Sequence, residues 1–575
     1  MELSEVPRYV RTLRHLRTSQ VAHRIRLRGQ RAALRPFSAQ AERLLTRHVP
    51  TGVGWPEDFV PLDARLSWPA ISELEAGKLK LLGSPRLLGA PPNWHQEGAD
   101  KLWSFHLHYW DWAWGLALAA DRTRARSTFA ALWMSYDRFT HLGPNDAWSP
   151  YVVSLRAWTW CGLYAPLVVG GDLDEGMRRS LTLAAGFLRT HLELDVGGNH
   201  LLKNLKALIG LGVFLRDEPM LDRAVARLAE QIDIQVLPDG GHYERAPAYH
   251  CQVLGDLIDV AGLLEAAARP VPASLDQAVP RMRRWLGAVL LPDGTVPMLN
   301  DGYPVAPELL AALGPSPTPS VDLVSLPDSG LVIGRKGRLH LIADVGDPCP
   351  PELPAHAHAD TLSYLLYVDG QPVVADPGTS TYTPGPVRDR ERSTRAHSTV
   401  EVDETDSTEV WGAFRAGRRA RARLEHAWDD GQTINITASH DGYRQLPGSP
   451  NHRRSWSLSA DGLRVVDEVT GTGVHRLVAR TQLAAGIALQ RVDDRVEVRR
   501  RGQGLAELEV APGPAHIGDY PVALGHGSVI QAAALEQQVC DALPQRLVIY
   551  WRLRSEESGP GPTSLTHQTG VEARA

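Results

Sequence analysis

The chain has 575 residues, of which 43% are hydrophobic and 22% are charged, and its formal net charge is −5. This length predicts two or three domains, because a single hydrophobic core stops growing at about 250–300 residues. The weak net charge excludes a global electrostatic attraction to nucleic acid or to an anionic membrane. The sequence contains no apolar run of about 18 residues, so we expect no transmembrane helix.

Residues 1–60 form a basic, amphipathic segment that begins MELSEVPRYVRTLRHLRTSQVAHRIRLRGQRAALR. We expect a helix with an arginine-rich outer face, and docking on a membrane or a partner is the alternative. The segment lacks the apolar core and the cleavage site of a secretory signal. On the sequence alone, the protein is therefore expected in the cytoplasm.

Residues 61–318 are predicted to form a helical domain. From about residue 100 to 312, apolar residues recur every three or four positions, as in DEGMRRSLTLAAGFLRTHLEL and YHCQVLGDLIDVAGLLEAAA. Turn sequences such as PDGG and PDGT separate the segments. Regular successive helices predict stacked helical pairs, either as an open solenoid or as a closed toroid.

Residues 319–575 are predicted to form a β domain. After the Pro/Ser-rich segment GPSPTPSVDLVSLPDSG, the apolar period changes to two, as in LSYLLYVDGQPVVAD and HRRSWSLSADGLRVVDEVTG. Many short strands without intervening helices predict a large antiparallel sandwich. The tail after Arg554 is expected to be disordered.

Tryptophan is concentrated in one part of the helical domain. Eight of the 16 tryptophans lie between Trp103 and Trp160. Tryptophan fills cores and also stacks on sugar rings. Because His106, His108, Asp111 and Arg156 are interleaved with these residues, a packed core and a carbohydrate cleft both remain open.

Two further polar groups lie at predicted helix starts. Asn199 and His200 follow two glycines in DVGGNHLLKNLKAL. Asparagine could cap this helix, or the pair could bind an anionic oxygen in the positive field of the helix terminus. In DGGHYERAPAYH, Tyr243 and Tyr249 precede the next helix, where a tyrosine can serve as an acid or a base or can simply pack.

The segment HAHADTLSYLLYVDGQPVVADPGT raises the question of a metal site. His356 and His358 are two residues apart and on a strand would share a face, and Asp376 and His397 follow near other predicted strand ends. Two imidazoles and one carboxylate are a common zinc set. Acid/base catalysis by these groups also remains open.

In this order, these segments resemble the heparinase II/III family of polysaccharide lyases. The resemblance covers about residues 100–470. It rests on KLWSFHLHYWDW, WSPYVVSLRAWTW, GGNHLLKNLKAL, DGGHYERAPAYH, HAHADTLSYLLYVDGQPVVADPGT and RAHSTVEVDE. It implies a multidomain fold, with an N-terminal (α/α) toroid followed by an antiparallel β-sandwich. Members of this family are often exported, so a periplasmic or secreted location also stays open.

The resemblance implies β-elimination of a uronate-containing acidic polysaccharide. Asn199 and His200 match the pair that neutralises the uronate carboxylate. Tyr249 and His356 match the acid/base groups, in either order. The substrate-binding residues that we expect from these segments are Arg156, His108, Tyr109, Trp148 and Tyr243.

The resemblance also implies zinc, with His358, Asp376 and His397 as ligands and a supporting role for the metal. No organic cofactor and no nucleic-acid partner are expected. Lys203 stands where we expect an acidic residue in this family; it either alters the charge near Asn199 or lies on a solvated helix face. The substrate's identity and sulfation, endo or exo cleavage, and the oligomeric state stay open.

Two other functions remain as alternatives. One is a non-catalytic or weakly active glycan-binding protein of surface polysaccharide assembly, although binding alone does not require a base. The other is a zinc hydrolase that uses His358, Asp376 and His397 with an activated water.

Overall fold

A computed structural model describes residues 6–554; the tail predicted to be disordered lies outside this range. The helices are α1 (Val6–Leu13), α2 (Thr18–Leu45), α3 (Ile71–Glu75), α4 (Lys101–Tyr109), α5 (Trp114–Ala117), α6 (Arg122–Phe139), α7 (Pro150–Leu167), α8 (Asp174–Thr190), α9 (Gly198–Leu215), α10 (Glu218–Gln235), α11 (Pro247–Ala266), α12 (Ala273–Val289), α13 (Pro307–Leu313) and α14 (Pro386–Arg392).

The strands are β1 (Lys78–Leu81), β2 (Ser84–Leu87), β3 (Leu323–Leu326), β4 (Leu331–Lys336), β5 (Leu339–Asp344), β6 (Tyr364–Val368), β7 (Gln371–Val374), β8 (Val400–Val402), β9 (Val410–Trp411), β10 (Arg415–Ala416), β11 (Ala422–Asp429), β12 (Ile434–His440), β13 (Asn451–Ser459), β14 (Gly462–Thr470), β15 (Val474–Gln482), β16 (Ile487–Val492), β17 (Arg495–Arg500), β18 (Gln503–Ala511), β19 (Ala515–Gly525), β20 (Ser528–Ala542) and β21 (Gln545–Leu553).

The helical domain has an inner and an outer layer of helices. The inner helices α7, α9 and α11 are apolar on nearly all sides, and 14 of the 18 residues of α7 are buried. The outer helix α8 buries only 7 of its 17 residues, in one amphipathic stripe, and α10 and α12 follow the same pattern. Consecutive helices pack against each other as pairs, and α9 contacts both α7 and α11. This two-layer packing is what an (α/α) toroid requires.

The β domain consists of three main antiparallel sheets. A five-stranded meander runs β3-β4-β5-β6-β7, an eight-stranded sheet has the order β11-β12-β13-β14-β21-β18-β17-β16, and a four-stranded sheet has the order β19-β20-β15-β8. Strand β13 alternates buried and half-buried residues along its whole length, as a strand with one core face must. Trp456, Leu458 and Trp551 lie in the core that the sheets enclose.

The predicted order of a helical domain followed by an antiparallel β domain is confirmed. The last helix of the first domain ends at Leu313, and the first strand of the second begins at Leu323. Between residues 6 and 554, no helix combines the length and the apolar character that a bilayer crossing requires.

The two N-terminal helices, α1 and α2, form an arm that contacts both domains. On the β domain, the Tyr9 ring packs edge-on against Trp411 with the centroids 4.6 Å apart, and Arg11 pairs with Glu409. On the helical domain, the Arg24 Nε atom lies 3.3 Å from an Asp195 carboxylate oxygen. Several arginines that the sequence places on an outer face therefore pair with acidic residues of the two domains.

Replacing Tyr9 by alanine should loosen the arm. The lost aromatic contact is worth about 1 kcal/mol. We therefore expect faster hydrogen–deuterium exchange in α1, with little change in the two domains. Tyr9→Phe keeps the ring and should exchange like the wild type. Equal exchange in all three proteins would show that this contact does not hold the arm.

Candidate functional site

A cleft of about 1120 Å³ lies between the helical domain and the β domain, and the arm forms one of its walls. His200 and Tyr249 line it from the helical domain, His356 from the β domain and Arg24 from the arm. Catalytic candidates that are far apart in the sequence thus face one space. These residues lie in loops or near helix starts that the packed domains hold in place. Such positions are typical of binding and catalytic residues.

Glu244 organises the first side of this site. Its carboxylate accepts the backbone N–H of Asn199 at 2.7 Å and the Asn199 side-chain amide at 2.9 Å. A Cβ atom on Gly198 would lie 2.1 Å from Glu244 Oε1, so glycine is required where the helix start meets this carboxylate. Asn199 lies inside helix α9, and its helix cap is Gly197, so the capping interpretation of Asn199 is wrong.

Asp301 organises the second side. Its carboxylate lies 3.0 Å from His356 Nδ1 and 3.0 Å from His358 Nε2, and it pairs with both terminal nitrogens of Arg388. All of these groups are nearly inaccessible to solvent. Burial disfavours the charged carboxylate, but Arg388 and the two histidines outweigh it and hold the pKa of Asp301 well below its usual range.

His356 lies between the two carboxylates. Its Nε2 atom is 3.0 Å from Glu244 Oε2, and its Nδ1 atom is 3.0 Å from Asp301 Oδ2. Burial opposes a charge on the ring, yet the hydrogen bonds to Asp301 and Glu244 raise the pKa of His356 to about 9. Both ring nitrogens therefore donate a proton to a carboxylate, and the ring is an imidazolium.

Tyr249 lies directly over this cation. The centroids of the Tyr249 and His356 rings are 3.9 Å apart at an interplanar angle of 31°. The Tyr249 hydroxyl is 3.0 Å from the Tyr382 hydroxyl. Burial raises the pKa of Tyr249 well above its usual value, so the phenol is neutral and carries a proton that it can donate.

His200 has one ring nitrogen engaged and the other free of protein partners in the described structure. Its Nδ1 atom is 3.1 Å from Glu193 Oε1, and its ring packs against Tyr151 with the centroids 4.3 Å apart. A carboxylate at Nδ1 fixes the proton there, which leaves the Nε2 lone pair available. The side chain is 36% exposed, so a ligand in the cleft can reach it.

Lys203 also lines the cleft and is not on a solvated face. Its Nζ atom is 2.7 Å from Asp256 Oδ1, and its side chain is only 12% exposed. Lys206 bonds the same carboxylate and also Asp259 Oδ2 at 2.6 Å. The two lysines are therefore neutralised by a buried acidic pair.

Most of the substrate-binding residues predicted from the sequence do not line the cleft. Tyr109 lines the cleft, whereas Tyr243 is half-buried outside it. His108, Trp148 and Arg156 are buried in the helical core. The Arg156 Nη1 atom donates to Ala147 O at 2.7 Å and to the Tyr136 hydroxyl at 2.9 Å, so the expected substrate clamp does not fit this position.

A buried cluster suited to a metal ion lies in the β domain, near His358. Oxygen or nitrogen atoms of Asp360, Asp376 and His397 all lie within 4.8 Å of one another. Both carboxylate oxygens of Asp360, Nε2 of His397 and Nδ1 of His358 are buried without a hydrogen-bond partner in the described residues. Buried polar atoms are rarely left unpaired, so this donor set fits a bound cation.

The cluster contains Asp376 and His397, two of the residues expected as ligands, together with Asp360. Asp376 Oδ2 is 3.0 Å from His397 Nδ1, and the His358 ring lies 5.3 Å from the His397 ring. His358 lies in the loop before β6 and not on the strand that the sequence suggests. Its Nε2 atom points at Asp301, and its Nδ1 atom is the one left without a partner. Asp360 comes only two residues after His358, and its place in the HAHAD segment makes it a candidate in the sequence, but the ligand set that the family resemblance implies does not include it.

Other site residues also lack a clear sequence signal. In the sequence, Glu244 precedes Arg245 and could pair with it. In the structure, the Arg245 Nη1 atom donates instead to Asp347 O of the β domain. Asp301 and Arg388 are 87 residues apart and pair only in the folded chain. The available clues are Asn-Asp before a glycine at residues 300–302 and the charged run RDRER at 388–392.

Two sequence profiles match this chain. "Heparinase II/III N-terminus" matches residues 93–313, and "Heparinase II/III-like, C-terminal" matches residues 318–542. The chain belongs to the heparinase II/III family. The two matches meet where the helices give way to strands, and they leave the arm unmatched.

Two curated proteins are similar to this family member. FtsZ-localized protein C of Caulobacter vibrioides is 29% identical over 262 residues, which is 44% of each chain. Heparin-sulfate lyase of Pedobacter heparinus is 24% identical over 433 residues, 66% of this chain and 63% of the lyase. The chain thus spans less than two thirds of either relative. The name of the first states a location and no enzymatic activity.

The crystal structure of heparinase III has a TM-score of 0.71 to this chain at 16% identity, with 90% of each chain covered. Identity this low establishes the shared fold alone. The helical and antiparallel β architecture inferred from the sequence is therefore that of a known polysaccharide lyase fold.

Arg156→Met should destabilise the protein without weakening a ligand in the cleft. Removing the guanidinium leaves the buried carbonyl oxygen of Ala147 without this donor, which costs about 1–3 kcal/mol, whereas the Tyr136 hydroxyl keeps His108 as a partner. We expect a lower Tm for this variant. Arg28→Met, a change in the cleft wall, should leave Tm unaltered. An unchanged Tm for Arg156→Met together with weaker glycan binding would instead support a role for Arg156 as a substrate clamp.

Proposed function

We propose that this protein cleaves a uronate-containing acidic polysaccharide by β-elimination. The observation that carries the proposal is the convergence of Asn199, His200, Tyr249 and His356 on one cleft. In this reaction a base removes the C5 proton of the uronate, the bond between C4 and the leaving oxygen breaks, and an acid protonates that oxygen. The product has a 4,5 double bond.

The difficult step is the removal of a weakly acidic proton beside a carboxylate. A site that catalyses it must neutralise the carboxylate and stabilise the charge that develops. Asn199 supplies a polar amide at the start of α9, and the imidazolium of His356 offsets the charges of Glu244 and Asp301, which would otherwise repel the substrate carboxylate. Both groups are pre-positioned by Glu244, so they need little reorganisation during the reaction.

The hydrogen bonds distinguish the proton-transfer groups from the fixed charge. Both nitrogens of His356 are already bound to carboxylates, which suits a charge that stays in place. His200, with Glu193 at Nδ1, has a free Nε2 atom that suits a general base. The neutral phenol of Tyr249 suits the acid that protonates the leaving oxygen. Glu193 then orients the base, as carboxylates orient histidines in other enzymes.

The charges that line the cleft favour a glycan with isolated carboxylates over a densely sulfated one. Seven acidic and five basic side chains line it, together with four histidines. The acidic residues are Asp63, Asp111, Asp195, Glu244, Asp256, Asp259 and Glu352. Such a balance gives no strong positive field to attract a polyanion. Unsulfated heparosan and hyaluronan are therefore the first substrates to try.

We further propose that Asp360, Asp376 and His397 hold a divalent ion, with zinc as the ion that these donors suit. Nitrogen and carboxylate ligands are typical of zinc, and the unpartnered Nδ1 atom of His358, whose ring lies 5.3 Å from that of His397, offers a further donor. The ion would tie the loops before β6 and β8 to the end of β7. It would thereby support the loop that carries His356, and the reaction needs no step on the metal.

Tyr249→Phe should lower the formation of unsaturated product by at least about 100-fold, because the general acid is lost. The measurement is the ultraviolet absorbance of the 4,5-unsaturated uronate, with heparosan, hyaluronan, heparan sulfate and alginate each supplied as substrate. Tyr550→Phe removes a hydroxyl on a distant strand and should behave like the wild type. Wild-type rates for Tyr249→Phe would remove Tyr249 from the mechanism.

Asp360→Asn should release the metal. We expect purified wild-type protein to contain about one zinc per chain by elemental analysis, and the variant to contain much less. A chelator should lower the Tm of the wild type but not that of the variant, because bound metal stabilises the folded state. Asp369→Asn, in an exposed hairpin, is the control. Metal-free wild-type protein whose Tm responds to neither zinc nor chelator would overturn this proposal.

A further inference from the structure

A second cavity lies on the β domain, outside the cleft. The segment RAGRRARAR, residues 415–423, places Arg418, Arg419 and Arg421 around it, and Arg444 comes from the turn after β12. We call this cavity of about 230 Å³ the arginine pocket. It shares no lining residue with the cleft.

The arginine pocket carries an excess of positive charge. Its four arginines face only two carboxylates, Asp347 and Asp441. Asp441 already accepts the backbone N–H of Arg421 at 2.9 Å and pairs with Arg444 at 2.9 Å. Asp347 accepts the backbone N–H of Ala422 at 2.8 Å. The Arg418 Nη2 atom lies 3.6 Å from Glu409 Oε1, outside the pocket lining, so the guanidinium groups of Arg419 and Arg421 remain for another partner.

Arg419 is the clearest case of a guanidinium in the arginine pocket with N–H groups that lack a hydrogen-bond acceptor among the described residues. Its Nη1 atom donates to the carbonyl oxygens of Pro350 and Pro351, at 3.1 and 2.6 Å. Its Nε and Nη2 atoms are buried and have no hydrogen-bond partner in the described structure. Burying a charged donor without an acceptor is costly, and such groups in native proteins usually bind an ion or water.

Arg421 is the second available cation. Its guanidinium makes no ion pair within residues 6–554, and the residue is exposed. His15 of the arm lines the same pocket. Burial and the positive charges of Arg419 and Arg421 lower the pKa of His15, which indicates an electropositive space.

We propose that the arginine pocket binds a small oxyanion, namely a phosphate, sulfate or carboxylate group, between Arg419 and Arg421. The planar guanidinium presents paired N–H donors that match the oxygens of such anions. The pocket is smaller than the about 300–1,000 Å³ of typical ligand sites, so it suits one charged group and not an oligosaccharide chain. Because His15 also lines it, a bound anion would fasten the arm to the β domain.

The test is a titration of the full-length protein with inorganic phosphate and with inorganic sulfate at constant ionic strength, followed by Tm and by calorimetry. We expect saturable binding that is at least tenfold weaker in Arg421→Gln and in Arg419→Gln. Arg421 is exposed, so the first variant should fold. Arg546→Gln, an exposed arginine elsewhere on this domain, should bind like the wild type.

A sulfated disaccharide and glucuronic acid, titrated in parallel, identify the source of the anion. Tighter binding of the disaccharide than of inorganic sulfate, lost in Arg421→Gln, would assign the pocket to a group on a glycan. Equal or weaker binding of the sugars would assign it to a free anion. The proposal is overturned if no anion binds, or if both pocket variants bind as tightly as the wild type.

Discussion

Two buried carboxylates hold the imidazolium of His356 from opposite sides, and the geometry of the cleft depends on this arrangement. Glu244 belongs to the loop before α11, and Asp301 lies before α13, so both anions come from the helical domain. The cation comes from the β domain. Removing one partner of such a buried pair typically costs about 3–5 kcal/mol, because the other charge is left uncompensated.

The same two anions fix the neighbouring groups. Glu244 holds the start of α9 and the amide of Asn199, while Asp301 holds His358 and Arg388. The domain interface and the candidate active site are therefore one electrostatic unit. A shift of either domain would separate His356 from a carboxylate. We therefore expect the two domains to keep their relative positions across the cleft. The arm adds a second connection, through Glu409 and Asp195.

Much of the fold is predictable from the sequence, because periods of 3.6 and 2 follow directly from helix and strand geometry. The residues that line the cleft are predictable where they sit in compact motifs, as Asn199 and Tyr249 do. Arg156 is different: an arginine among tryptophans is compatible with a sugar cleft, and only tertiary packing places carbonyl acceptors around it. No local sequence pattern predicts a role for Asp301 or Arg388, because each pairs with a residue 87 positions away in the chain.

The central claim is that the glycan is cleaved by elimination and not by hydrolysis. The most direct measurement is mass spectrometry of the products formed in water enriched in heavy oxygen. Elimination adds no water, so we expect one product with an unsaturated uronate at its end and no heavy oxygen introduced by cleavage. Saturated products that carry one heavy oxygen at the cleavage site would instead show a hydrolase and would contradict the roles given to His200 and Tyr249.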